Sequence, residues 1–236
     1  MKLYTILFCI FIFSTHSFSQ NLTGQELLEK AIAYHDSNNN WSHFNATLNI
    51  TMETPNSSNR NSKIDINFPK EYFNLLSTRD STTIQYTIKK EKCIISMNDS
   101  IRIANQTTKP KRTHCETAKL YKNYYTYLYG LPMKLKDAGT NIHDKVEYKT
   151  FKGKEYLVLK VTYNETVGSD TWYFYFNPKT YTMEIYQFFH DESKNDGEYI
   201  LLTEEVTIDN IKMPKNRAWY TNKEDKLLGT DILKGK

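Results

Sequence analysis

The spacing of apolar residues changes several times along the chain, and each change marks an element. Leu27, Leu28, Ala31, Ile32 and Tyr34 recur at helical spacing. They follow Thr23-Gly-Gln-Glu26, a capping box in which the Thr hydroxyl and the Glu carboxylate satisfy each other's backbone amides. Asp36 to Asn40 ends this helix. The period then falls to two: Phe44, Ala46, Leu48, Ile50 and Met52 alternate with polar residues, as in a half-buried strand. A polar loop from Pro55 to Ser62 precedes Ile64, Ile66 and Phe68, so residues 43–68 read as a hairpin. Shorter strands are expected near Tyr72–Ser77, Thr83–Lys89, Lys92–Met97 and Ser100–Ala104.

A second capping box, Thr113-His-Cys-Glu116, opens a Tyr-rich helix carrying Ala118, Leu120, Tyr121, Tyr124, Tyr125 and Leu128. Gly130 and Pro132 stop it. A loop from Leu131 to Thr140 leads into a half that is nearly all strand. Leu157, Leu159, Val161 and Tyr163 share one face. Thr171 to Phe176 is a strongly β-prone run, and Asn177-Pro-Lys-Thr180 fits a four-residue turn before Tyr181–Phe189. Tyr199–Ile208, Lys215–Thr221 and Lys226–Leu233 complete the pattern. The order helix, strands, helix, strands predicts an α+β fold: one antiparallel sheet with its helices gathered on one face. So long a meander twists and curls toward a half-barrel, whose concave side the helices must cover. That leaves either a filled core or a ligand cavity.

The N-terminus reads as an address. Lys2 precedes an apolar run from Leu3 to Phe13, and Ser17-Phe18-Ser19 supplies small residues for cleavage before Gln20. The run is shorter than a membrane span, and Phe8 before Cys9 does not suit a lipid anchor. The expectation is a signal peptide over 1–19 and a single domain over 20–236, exported to the periplasm or fully secreted, soluble, and without stable membrane insertion. Export leaves Cys93 and Cys115, which either pair in an oxidising compartment or remain two buried thiols.

Asp170-Thr-Trp-Tyr-Phe-Tyr-Phe-Asn-Pro-Lys-Thr-Tyr181 looks like the tryptophan-strand hairpin of the periplasmic lipoprotein-carrier superfamily of LolA and LolB. The order of elements over the whole mature chain resembles that superfamily as well. Tyr129 to Asp137 and Asn195 to Leu201 look like segments of an uncharacterised family of bacterial exported proteins with the same fold. The resemblance implies a LolA-like fold and an exported compartment. By analogy it implies a hydrophobic guest, an acyl chain or lipid, in the concave face.

Composition narrows the rest. The 236 residues carry 31 Lys+Arg and 27 Asp+Glu, a net charge of +4 that gives no basic stripe for nucleic acid. No P-loop, dinucleotide fingerprint or nucleophile elbow is present. His35-Asp36 sits at a helix end, where adjacent side chains do not face each other. His190 to Glu198 concentrates carboxylates, but Lys194 occupies what would be a calcium-ligand position. His143-Asp144 reads as a loop salt bridge, and Ser169 as part of a turn. No zinc spacing appears among the histidines. The chain is therefore read as no enzyme, with no metal and no cofactor.

The aromatic residues stand out, with 18 Tyr, 12 Phe and 3 Trp. They suit a cavity wall, a partner-binding face or the outward faces of strands. The candidate ligand-binding residues are Trp172, Phe174 and Phe176 on one strand, Leu157, Leu159 and Val161 on another, and Tyr125, Leu128, Leu131 and Met133 around the second helix. The expected function is binding of a hydrophobic ligand. The alternative is an envelope structural or partner-binding module with a filled core.

Overall fold

The structure, a computed structural model, describes residues 22–98, 100–102 and 114–235. The leader, its cleavage site, Cys9, Thr113 and Ala104 lie outside those residues. Among the described residues there are two α-helices, α1 (Gly24–His35) and α2 (His114–Gly130), and thirteen strands. The first six strands are β1 (Asn45–Thr54), β2 (Ser57–Asn67), β3 (Tyr72–Arg79), β4 (Thr82–Lys89), β5 (Lys92–Met97) and β6 (Ser100–Arg102). After α2 come β7 (Thr140–Phe151), β8 (Lys154–Tyr163), β9 (Thr171–Phe176), β10 (Met183–Phe189), β11 (Glu198–Ile208), β12 (Ile211–Thr221) and β13 (Leu227–Lys234).

All thirteen strands form one antiparallel, unclosed sheet, in the order β6-β5-β4-β3-β2-β1-β13-β12-β11-β10-β9-β8-β7. Two meanders are thus joined where the first strand pairs with the last. Their free ends, β6 and β7, are opposite edges of the sheet, so the chain between them must cross a face. α2 makes that crossing, and its 17 residues span about 25 Å. It lies against β4 and β5, while α1 lies against β7, β8 and β12. Both helices therefore cover the concave face.

α1 starts as the pattern predicts. The Thr23 hydroxyl accepts from the Glu26 amide at 3.2 Å, and the Glu26 carboxylate accepts from the Thr23 amide at 2.8 Å. At its other end His35 is buried. Its Nδ1 donates to the Lys212 carbonyl at 2.8 Å and its Nε2 accepts from the Met183 amide at 3.0 Å, which assigns a neutral ring tying α1 to β12 and β10. Asp36, also buried, accepts from the amides of Asn40 and Trp41. This dyad is structural.

Burial lowers the His35 pKa, opposed by the Lys212 carbonyl and by Glu205. An unfolded His titrates near 6.5, so below about pH 6.5 the unfolded chain takes up a proton that the folded chain refuses. Stability is therefore expected to fall as pH drops from about 6.5 toward the folded value. His35→Gln should be less stable at neutral pH and show a flatter pH dependence. Urea unfolding at about pH 7.5 and 5.5 reads this, and an unchanged slope in the variant would count against it.

Three segments depart from the sequence pattern. Strand β2 begins at Ser57, because the polar stretch after Pro55 is itself paired with β1. The turn after β9 runs through residue 182, closed by Asn177 accepting from the Tyr181 amide and donating to the Thr182 carbonyl. Thr140 to Asp144 is no loop: it begins β7, whose register with β8 shifts between Ile142 and Val146. That bulge and the polar outer positions of an edge strand mask its alternation. His143 stands beside Thr162 there, at 3.3 Å.

Candidate functional site

The sheet has two differently covered faces. On the concave side, Leu48, Ile64, Leu159, Phe174, Phe176 and Ile200 are fully buried beneath the helices in one large core. On the convex side, Tyr156, Val158, Tyr175 and Ile185 form a second buried cluster, flanked by Phe151, Tyr173 and Leu201. No helix covers it. Lysine stems do: Lys149 and Lys160 stand 4.6 and 5.3 Å from the Tyr173 ring centre, Lys154 at 5.4 Å from Tyr156 and Lys152 at 5.1 Å from Tyr199. Part of the aromatic surplus is thus an outer layer of the sheet rather than a cavity wall.

The ten candidate binding residues separate cleanly. Tyr125, Leu128, Leu131, Met133, Leu157, Leu159, Val161, Phe174 and Phe176 are all buried in the concave core. A Cβ on Gly130 would lie 2.3 Å from the Trp41 ring, so the end of α2 is packed tight. Trp172 is different. It is only partly buried, and it forms the wall of a groove of 490 Å³ between α2 and the segment 163–172. That volume lies within the usual range for small-molecule sites.

Apart from Trp172, the groove is built from residues that the sequence pattern did not single out for binding. Leu120, Tyr124 and Tyr127 come from one side of α2, Tyr163 from the end of β8, and Val167 from the loop that follows. Leu120 is 46% exposed, Tyr124 38% and Val167 57%. The loop is held by the Asn164 amide donating to the Gly139 carbonyl at 2.9 Å and by the Val167 amide donating to the Asn164 carbonyl at 2.8 Å. Gly139, at φ +86, lets Val167 approach: a Cβ there would lie 2.8 Å from its Cγ2.

Several polar groups of the groove are already paired. The Tyr127 and Tyr163 hydroxyls hydrogen-bond to each other, and burial raises both, Tyr163 to about 12. Lys134 pairs with Asp137 on the rim. Asp170 pairs with His190 at 2.7 Å, and that bond raises the His190 pKa. Thr126 bonds back to the Lys122 carbonyl at 2.8 Å. Beside them the groove presents apolar surface and ring faces, with Asn123, Tyr124 and Thr140 adding polar atoms. This arrangement can bind; it presents no nucleophile with a base.

Cys93 of β5 and Cys115 of α2 are joined by a disulfide, with Cα atoms 5.7 Å apart. The carboxylates after β10 serve their own turn: Asp191 accepts from the Ser193 amide, and Asp196 from the His190 and Asp191 amides. No group of three His, Cys, Asp or Glu side chains among the described residues could hold a metal. No helix among them is long and apolar enough to cross a membrane.

Two solved structures share this architecture. A LolA superfamily protein from Nitrosomonas europaea has a TM-score of 0.54 at 10% identity, covering 90% of this chain and 92% of its own. A DUF1329 family protein from Desulfovibrio piger has a TM-score of 0.51 at 7% identity, covering 91% and 92%. At such identities the likeness shows the fold alone: an open, LolA-like sheet with helices. No curated protein matches the sequence. The family model that matches residues 1–234 is described as a family of unknown function, and the chain belongs to that family, DUF6503.

Proposed function

We propose that the protein is an exported, non-enzymatic binding protein that holds an apolar chain, acyl or lipid, in the groove between α2 and residues 163–172. One observation carries this reading. Of the large apolar side chains that stand exposed among the described residues, Leu120, Tyr124 and Val167 gather around one concavity. Exposed apolar groups gathered at one place mark a binding site rather than an accident of surface. The Cys93–Cys115 disulfide fits an oxidising, exported compartment, and the LolA superfamily neighbour fits a carrier role by fold analogy.

The test is a saturable titration with a fluorescent acyl probe. Leu120→Asp and Val167→Asp each place a charge against the bound chain and should weaken binding by about tenfold or more, since burying an unpaired carboxylate is costly. Both positions are exposed, so the fold should survive. The second reading is a partner-binding envelope module with a filled core. Direct packing of α2 on the concave floor favours it, and absence of saturable probe uptake would select it.

A further inference from the structure

The concave floor is not uniformly apolar. Arg60, Met52, Asp231, Arg217 and Leu202 are lateral partners on β2, β1, β13, β12 and β11, and so form one row beneath α2. Arg217 is 1% exposed and Asp231 3%. The Tyr129 ring of α2 lies on the Arg217 guanidinium, 3.8 Å from centroid to Cζ. Arg217 donates from Nη1 to the Pro214 carbonyl at 2.9 Å, but its Nε has no partner. It forms no salt bridge among the described residues. The buried Tyr129 hydroxyl and one oxygen of Asp231 also lack partners, while the Tyr186 hydroxyl lies against Arg217 itself. The other Asp231 oxygen accepts from Trp219 Nε1 at 3.3 Å.

A buried guanidinium with an unpartnered N–H, next to an unpartnered tyrosine hydroxyl and carboxylate oxygen, calls for a polar occupant. The row carries two guanidinium groups and one carboxylate, so an anion would balance it. Arg217 does not itself line the groove, but rings of the groove wall stand next to its neighbours. Trp172 in its wall is 6.2 Å from the Tyr186 ring, and Tyr124 stacks on Trp219 at 6.4 Å. The Tyr186 ring thus stands between the Trp172 wall of the groove and Arg217.

We propose that Arg217, with the Tyr129 and Tyr186 hydroxyls, seats the carboxylate head of the chain whose tail fills the groove, reached when the Tyr124 ring turns aside on a helix that stays in place. This rests on the groove reading above and narrows its ligand to amphipathic acids, long-chain fatty acids rather than neutral lipids. A planar two-oxygen head matches the guanidinium fork. Burial pushes the Asp231 carboxyl up, against the pull of Arg217 and Arg60.

The experiment displaces a neutral acyl probe with palmitate or with hexadecanol near neutral pH. Palmitate should bind the protein about tenfold more tightly than the alcohol, the scale of one charge-assisted pair. Arg217→Met should fold, keep the alcohol and lose the preference, while Arg217→Lys should restore part of it. If Arg217→Met does not fold, Tyr129→Phe and Tyr186→Phe, which remove only hydroxyls, should each cut the preference. Equal affinity for acid and alcohol in the unaltered protein, or a preference untouched by these variants, overturns the head-group site and leaves the groove standing. Binding of neither overturns both.

Discussion

Phe174→Ala is expected to lower the unfolding free energy by about 3–5 kcal/mol and to leave acyl-probe affinity nearly unchanged in the fraction that stays folded. Phe174 is fully buried, and its ring neighbours are Trp172 at 6.0 Å and Tyr186 at 6.4 Å. Truncation leaves a cavity that helix-covered strands cannot close. Yet the residue does not line the groove. The contrast with Val167→Asp is the informative part: that exposed change should move stability by no more than about 0.5 kcal/mol while abolishing tight binding. Urea denaturation beside probe titration on both variants reads the pair. Loss of binding in folded Phe174→Ala at little cost in stability would place the guest inside the core and not in the groove.

Reduction of the Cys93–Cys115 disulfide, or its replacement by two alanines, is expected to cost about 3 kcal/mol, from the entropy of a loop closed over 22 residues. For a chain of this length that corresponds to roughly 6–12 °C in Tm. The bond fixes the start of α2 to β5, and α2 carries Leu120, Tyr124 and Tyr127 into the groove. Probe binding should weaken along with stability. Thermal unfolding with and without reductant measures the first effect and titration the second. A Tm shift under about 2 °C would show that α2 is held by its packing alone.

Much of the fold was legible because local signals and burial agree. The Thr23–Glu26 box, the alternation in β1 and β2 and the Gly130 stop each describe a short-range choice that tertiary packing then keeps. Strand β7 was not legible, since an edge strand with a bulge carries no clean period. The site was legible only in part. α2 shows two stripes, Tyr121, Tyr125 and Tyr129 toward the floor and Leu120, Tyr124 and Tyr127 toward the groove, which merge when read as one apolar helix. A helix apolar on so wide an arc has two partners to meet, and that was the available signal. Val167, alone among polar loop residues, was another. Arg217 and Asp231 break the inward parity set by Met213 and Leu233, a local conflict of the kind expected where function outweighs packing.

A diazirine-bearing fatty acid, photolysed on the protein and mapped by peptide mass spectrometry, tests the central claim most directly. Saturable labelling, competed by palmitate, should fall on residues 120–127 and 163–172. Labelling confined to the convex strands around Tyr156 and Tyr175, or none that saturates, would contradict a ligand held between α2 and the Trp172 strand.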